Sequence, residues 1–316
     1  MRTSLSLSIA MITLGISFTL QAESPPVIEL CDGNLYTMNS GRGAVGLLVD
    51  IHEGRDLTNT RYFSDASNRA SLHSQALFSS AAMDYDKVND RIYYASTPTP
   101  NSFHLENLDS LGLSPEALSQ LGLHSKTNEP YQLAYFDVAT QSHHWVGNTR
   151  FPIFRMAFDP NTGVLYGSDG GRFYTIDPNT GTQTVVAAWS NNVSSSGFTS
   201  WGDFIFRDNE LLLVTNTRVF TVNTANAEVS VKFFHNIDFV TGASLDQNNE
   251  ILIAAKNQNV TGEVNSSHLW RLNPEAEYNY LPVQKYLGLF PVRVDGMARV
   301  DSQQDTCYPP SFYATE

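Results

Sequence analysis

The sequence predicts an all-β protein, a β-propeller of five blades, from three observations. The turn sequence Asp-Pro-Asn-Thr-Gly occurs twice, at 159–163 and 177–181, with a short apolar run before each copy. A unit of four short apolar runs separated by turn residues recurs at a period of roughly 40 to 50 residues, which is typical of propeller blades. The two ends of the chain each carry part of such a unit.

The segment around the repeated turn predicts one complete blade. Its apolar runs are Met156 to Phe158, Val164 to Tyr166, Phe173 to Ile176 and Thr184 to Trp189. The turns between them are rich in Asp, Pro, Asn and Gly, which favour a reversal of the chain. The two copies of the turn are therefore hairpin turns within one antiparallel unit.

Three more units of this kind begin near Ala82, Phe204 and Ala243. The N-terminal piece matches the later strands of a blade, because its DGNLYT at 32–37 resembles DGGRFYT at 169–175, and Val294 to Val300 matches a first strand. Joining the two pieces closes the ring and leaves no free sheet edge. The count is five blades, or six if Thr58 to Ser79 hides irregular strands.

Composition and the chain ends predict an exported protein. Residues 1–22 read as a secretory signal peptide, with Arg2 before a short apolar run and Ala22 at the cleavage point, and residues 23–316 as a single propeller domain. Cys31 and Cys307 lie near the two mature ends and predict a disulfide. The formal net charge of -13, without any run of Lys or Arg, argues against nucleic acid and anionic membranes as partners.

Three long insertions are predicted, at 51–79, 97–130 and 257–267, and strand alternation assigns all of them to one face of the propeller. Within the second, Ser114 as a helix N-cap and Pro115 as the first helical residue predict a short helix. Elaborated loops on a rigid scaffold usually carry binding or catalysis. The alternative is that insertions accumulate neutrally on whichever face tolerates them.

Polar residues near the first strands predict a site where the central channel opens on the same face. Arg155, Trp201, Asp203 and Asp295 fall there, and they could hold a metal or an anionic group. Calcium is the possible cofactor, with Asp203 and Asp295 as its ligands, although calcium takes six to eight oxygen ligands. The alternative that we favour is ion pairing between blades, such as Arg155 with an aspartate.

A mixed rim is predicted beside the second-to-third loops. Asp169, Arg172, Arg218 and His268 fall in or next to these loops and could hydrogen-bond a sugar or a peptide. The pair His143-His144 falls at a third-to-fourth turn on the opposite face. Because neighbouring strand residues point to opposite sides, this pair is interpreted as structural and not as a metal site.

The segments FDPNTGVLY and FYTIDPNTG resemble the repeats of bacterial exported β-propellers, including lactonase-like propellers and uncharacterised families. A lactonase-like relationship implies a metal held by Glu, Asn and Asp in the central channel. Asp203 and Asp295 are in suitable places for this, but no channel Glu or Asn is assigned. The resemblance is specific for the architecture, and a fold alone does not fix a function.

Two functional hypotheses follow. The first is a secreted or periplasmic monomer that recognises a glycan, a peptide or an envelope component through the insertion-bearing face. The second is a metal-assisted hydrolase of the lactonase or esterase kind, or a polysaccharide lyase, with its site at the channel mouth. The lack of an assignable catalytic set favours the binding protein.

Overall fold

A computed structural model describes residues 35–39, 46–51, 70–80, 82–96, 130–189, 202–246, 249–256, 267–278, 280–290 and 294–301. Within these ranges all regular secondary structure is β-strand, and no helix is long and apolar enough to cross a membrane. The strands are β1 (Leu35–Asn39), β2 (Gly46–Ile51), β3 (Ala70–Ala76), β4 (Ala82–Asp86), β5 (Arg91–Ala95), β6 (Tyr131–Asp137), β7 (Ser142–Thr149), β8 (Arg155–Phe158), β9 (Leu165–Ser168), β10 (Arg172–Ile176), β11 (Gln183–Ala188), β12 (Asp203–Arg207), β13 (Glu210–Thr215), β14 (Arg218–Val222), β15 (Val229–Phe234), β16 (Val240–Leu245), β17 (Ile251–Lys256), β18 (Ser267–Tyr278), β19 (Leu281–Phe290) and β20 (Val294–Arg299).

The strands form five four-stranded antiparallel sheets, and each sheet is one blade. Blade 1 has the order β20-β1-β2-β3, and blades 2 to 5 are β4–β7, β8–β11, β12–β15 and β16–β19. The innermost strands contact one another in a closed ring, from β4 through β8, β12, β16 and β20 back to β4. The protein is therefore a five-bladed β-propeller, and the predicted fold class is confirmed.

Blade 1 closes the ring as the sequence predicts, because it combines both ends of the chain. The C-terminal strand β20 pairs with β1, and in this pairing Leu35 lies opposite Arg299. Cys31 and Cys307 lie outside the described residues, so the disulfide stays a prediction. The signal peptide and the helix expected at Ser114 also lie outside them.

Strand β3 lies within the stretch 51–79, where an insertion and a possible sixth blade were expected. It pairs with β2 as the fourth strand of blade 1. β2 and β3 are therefore the third and fourth strands of blade 1, and the strand ends at Ile51 and Ala70 lie at the face opposite the one to which the sequence assigned this insertion. The polar sequence ASLHSQA gives no clear strand pattern, because an outer strand is half exposed. The ring of His73 packs edge-on against Tyr36 and Phe136.

The two copies of the DPNTG turn adopt the same structure. In each, the aspartate side chain accepts a hydrogen bond from the backbone N–H two residues later, at 2.9 Å, and from the threonine hydroxyl. The glycine closes the turn with a positive φ, 69° at Gly163 and 75° at Gly181, a conformation that glycine adopts without strain. One copy joins strands one and two of blade 3, and the other joins strands three and four.

Alternation of strand direction gives the propeller two unlike faces. We call the face with the first-to-second and third-to-fourth turns, such as 87–90 and 177–182, the short-turn face. The other is the insertion face, which has the second-to-third loops, such as 169–171, and the links between blades, such as 150–154. The predicted insertions at 97–130 and 257–267 connect strands that end at the insertion face, but all of their residues except Pro130 and Ser267 lie outside the described part of the chain.

Buried side chains fill the seams between blades, and carboxyl groups on the inner strands join neighbouring blades. Asp84 on β4, which is partly buried, accepts a hydrogen bond from the N–H of Phe158 on β8 at 2.7 Å. The buried Asp203 on β12 accepts one from the N–H of Ala243 on β16 at 3.2 Å. Each of these bonds crosses from one blade to the next, so the two aspartates help to fix adjacent blades relative to each other.

Candidate functional site

Three of the channel residues predicted from the sequence lie at the insertion-face end of the inner strands. Arg155 is the first residue of β8, Asp203 the first of β12, and Asp295 the second of β20. Burial lowers the pKa of Arg155 to about 10, and the attraction of Asp203 opposes that change. The two groups lie on neighbouring inner strands, and the ion pair between blades that the sequence favours stays a prediction. Trp201 lies outside the described residues.

The structure assigns Asp203 a task within the scaffold. Its two carboxylate oxygens accept the backbone N–H groups of Phe204 and Ala243, and burial raises its pKa well above the usual value. Asp295 stands on β20, which is separated from β12 by the inner strand of blade 5. Among the described residues, no group of three or more His, Cys, Asp and Glu side chains is placed to share a metal ion. A calcium site at Asp203 and Asp295 stays a prediction.

The predicted rim residues lie at the insertion-face ends of three blades. Asp169 and Arg172 form an ion pair of 2.6 Å at the second-to-third loop of blade 3. Arg218 begins β14, where its guanidinium lies 5.7 Å from the ring centroid of Phe234. His268 near the start of β18 is within 3.0 Å of the hydroxyl of Tyr286, and burial lowers its pKa.

The histidine pair on β7 faces two different sides of blade 2. His143 hydrogen-bonds with the hydroxyl of Tyr94 at 3.0 Å and with Ser74 at 2.9 Å across the seam to blade 1. His144 stacks on Tyr135 on the other side, with ring centroids 5.0 Å apart. The two rings cannot reach one metal ion, which agrees with the structural interpretation of this pair.

A cavity of about 300 Å³ lies where the central channel opens on the short-turn face. All five blades contribute to its wall, so the cavity is the channel mouth itself. Its volume is at the lower end of the range of about 300 to 1,000 Å³ that is typical of ligand pockets. Representative lining residues, one or two from each blade, are Asp84, Lys87, Phe158, Phe206, Asn249 and Arg299.

Asp84 is the ionisable group of this cavity with the most altered proton affinity. Burial raises its pKa from 3.8 to about 7, repulsion from Asp301 and Asp86 adds to the rise, and the N–H groups of Phe158 and Tyr85 oppose it. Near neutral pH the carboxyl group is therefore divided between its charged and neutral forms. A carboxyl with such a pKa in a cleft indicates a functional site, and it can both accept and donate hydrogen bonds to a ligand.

Two arginines hold the blade 5 wall of the cavity in place. Arg207, the last residue of β12, donates to the backbone oxygen of Asn249 at 2.9 Å and pairs with Glu275 on β18 at 2.9 Å. Arg271 is fully buried beneath the same turn and pairs with Asp246 at 2.8 Å. A buried ion pair with this geometry resists rearrangement, because removing one partner would leave a buried charge uncompensated. These contacts therefore fix Asp246 and Asn249, the described residues on either side of the turn.

The remaining wall combines polar groups with apolar surface. Lys87 and Asp301 form an exposed ion pair of 2.8 Å at the edge of the cavity. Phe158, Ile205 and Leu245 line the cavity from three different blades, and Leu245 is the most exposed of the three, since Phe158 is 4% and Ile205 5% exposed. The cavity can therefore offer a small ligand both hydrogen bonds and some apolar contact.

Sequence reasoning placed the site on the insertion face and missed this cavity. Its wall is made by the last residues of five inner strands and the turns after them, which are spread from Asp84 to Asp301 along the chain. One signal was present: Asp84 is an acidic residue in the middle of the first strand AMDYD, where a propeller's inner strand faces its neighbours and the channel. The turns themselves gave no signal, because they are short.

Comparison with known proteins gives likeness of shape alone. No family model matches the chain, and no curated protein matches it. A chain in a crystal structure of a nidogen/laminin complex is similar with a TM-score of 0.46 and 9% identity, over 85% of this chain and 99% of that one. A chain of Kuenenia stuttgartiensis hydrazine synthase is similar with a TM-score of 0.38 and 7% identity, over 66% of this chain and 49% of that one. At these scores the likenesses carry no argument about function.

Proposed function

We propose that this protein is an exported binding module that holds one unit of a glycan in the channel-mouth cavity of its short-turn face. The observation that carries the proposal is the cavity itself, which all five blades line and which contains a carboxyl group with a pKa of about 7. A propeller is a rigid scaffold, so a site at its channel mouth is pre-organised, and pre-organisation reduces the free energy lost on binding.

A saccharide fits the chemistry of the wall better than a charged ligand. Two of the three lining carboxyl groups are matched by cations, since Lys87 pairs with Asp301 and Arg271 pairs with Asp246. The raised pKa of the third, Asp84, reduces its negative charge near neutral pH. What the wall then offers is hydrogen bonding, from groups such as Asp84 and Asn249, together with apolar atoms such as those of the partly exposed Leu245. A sugar ring has hydroxyl groups around its edge and C–H groups on its faces, and it needs both kinds of contact.

The insertion face is the surface that the sequence predicts for a glycan, a peptide or an envelope component. Its long connections lie outside the described residues, and that prediction stands beside the cavity as a separate one. Export rests on residues 1–22 of the sequence and is part of the proposal.

A second candidate is a hydrolase or lyase that acts on the same glycan. The raised pKa of Asp84 favours it, because a carboxyl group that keeps its proton near neutral pH can act as a general acid. Release of shortened sugars from a bound glycan, lost in Asp84→Asn, would support the enzyme. Binding without any product would support the module.

The test is a glycan array followed by calorimetry with the sugars that bind, on the wild type and on two paired variants. Lys87→Ala/Asp301→Ala changes the edge of the cavity, and Lys232→Ala/Glu210→Ala removes another exposed ion pair, between the outer strand of blade 4 and its second strand. Loss of one or two ligand hydrogen bonds weakens binding by about three- to tenfold. We expect that loss in the first variant and wild-type affinity in the second. Absence of any bound glycan, or equal affinity in both variants, would refute the proposal.

A further inference from the structure

A separate feature of the insertion face points to an anionic ligand. Phe151 lies in the link between blades 2 and 3, and two guanidinium groups lie close to its ring. Arg172 lies 4.2 Å from the ring centroid, and Arg150 lies 4.9 Å from it. With the Asp169 carboxylate paired to Arg172, the two guanidinium groups still leave one net positive charge beside the ring. An anion would be attracted to that charge.

The scaffold fixes this arrangement from several directions. The N–H of Phe151 donates to the side-chain oxygen of Gln183 at 2.7 Å, and the Gln183 amide donates back to the Phe151 carbonyl at 3.0 Å. The neighbouring Pro152 carbonyl accepts the hydroxyl of the buried Tyr174. The backbone that presents the ring is therefore held by side chains of β10 and β11.

Arg172 is held as firmly as the ring. Asp169 is buried and uses one oxygen to accept the N–H groups of Gly171 and Arg172, at 2.7 and 2.6 Å. Its other oxygen pairs with a terminal nitrogen of the Arg172 side chain at 2.6 Å. A guanidinium has five N–H donors in a rigid fork, so this single contact orients the group and leaves it able to bind a further oxygen acid.

The cations nearest to this ring are its own two arginines. Although the chain has a net charge of -13, the insertion-face rim carries Arg150, Arg172, Arg218 and Lys256 beside the acidic residues Asp169, Asp203, Asp238 and Asp295. An anion at the ring would be attracted by the guanidinium groups of Arg150 and Arg172, because they are within 5 Å of its centroid.

We infer that Arg150, Phe151 and Arg172 form a binding site for an anionic sugar, through its carboxylate or sulfate ester. The guanidinium groups would bind the acidic oxygens, and the exposed surface beside Phe151 would contact the sugar ring. This site lies on the face opposite the channel-mouth cavity and does not depend on it. A glycan with both neutral and acidic units could be bound by either face.

The experiment follows backbone amide resonances of isotope-labelled protein by NMR during titration with sodium glucuronate, glucose 6-sulfate, glucose and sodium sulfate. We expect either acidic sugar to shift the amides of Phe151, Gly171 and Arg172, and glucose to leave them unchanged. Shifts with inorganic sulfate alone, or with none of the four probes, would overturn the inference.

Variants assign the effect to the two guanidinium groups. Arg150→Gln and Arg172→Gln are each expected to weaken the binding of the acidic sugar by about tenfold, the loss typical of one charge-assisted hydrogen bond. Arg150→Gln removes no ion pair to Asp169, so it reports on binding even if Arg172→Gln disturbs the loop. Lys232→Gln, which removes an exposed positive charge from the outer strand of blade 4, is the control and is expected to bind as the wild type does. Equal binding by Arg150→Gln and the wild type would contradict the inference.

Discussion

The raised pKa of Asp84 makes a quantitative prediction about stability. The carboxyl group has a pKa of about 7 in the folded protein, and its ordinary value is 3.8. Between these values the folded state binds more protons than the unfolded state, so stability falls as the pH rises from about 4 to about 7. The difference in pKa corresponds to about 4 kcal/mol. Because the side chain borders an open cavity and water weakens the effect, we expect about 2 to 4 kcal/mol.

Replacing Asp84 by Asn removes this titration and keeps the shape of the side chain. Relative to the wild type, Asp84→Asn should therefore gain about 2 to 4 kcal/mol in unfolding free energy when the pH is raised from about 4 to about 8. The assay is urea unfolding followed by tryptophan fluorescence at a series of pH values. The control is Asp177→Asn, at an exposed turn where the N–H of Asn179 lowers the aspartate pKa from 3.8. Because that group titrates below about pH 4, the difference between Asp177→Asn and the wild type should stay nearly constant from pH 4 to 8 and change, with the opposite sign, only at lower pH. A constant difference between Asp84→Asn and the wild type across this range would refute the reasoning.

Three further predictions concern other parts of the scaffold. Burial lowers the pKa of His143 to about 4, so the unfolded chain takes up a proton that the folded chain does not. The free energy of unfolding should therefore fall as the pH drops from about 6.5 towards 4. Urea midpoints measured over this range should fall less steeply in His143→Gln. Gly202→Ala should lower the free energy of unfolding by about 3 kcal/mol or more, since the new Cβ would lie 2.2 Å from the Val214 carbonyl oxygen at a φ of 108°. The control is Gly171→Ala, where the new Cβ has no heavy atom nearer than 3.7 Å, and its melting temperature should be close to that of the wild type. Arg271→Met should lower the unfolding free energy by about 3 to 5 kcal/mol, measured by urea unfolding, because Asp246 loses its buried partner.

The fold was predictable because local turn chemistry sets it. Each DPNTG turn is closed by its own aspartate and glycine, so the two copies predict their hairpins without any knowledge of distant residues. The closure of blade 1 was also predictable, since β20 and β1 each match a different part of the same repeat. Strand β3 was not, because its outward residues are polar and its pairing with β2 spans a long connection.

The candidate site was predictable only in part. The sequence identified Asp169 and Arg172 as rim residues, and they form an ion pair, but it gave no reason to select Phe151 beside them. The cavity depends on the order of blades around the ring, which brings Asp84 and Arg299 to the same wall from opposite ends of the chain. The pKa of Asp84 depends in turn on that burial, and no local sequence pattern encodes it.

The central claim, that the channel mouth on the short-turn face holds a glycan, is tested most directly by hydrogen–deuterium exchange with and without the sugar found on the array. The account predicts slower exchange in peptides that cover the cavity wall at 84–91, 204–210 and 297–301, and unchanged exchange at the outer strand β15. Slower exchange confined to the connections 97–129 and 257–266 would contradict the claim and assign glycan binding to the insertion face.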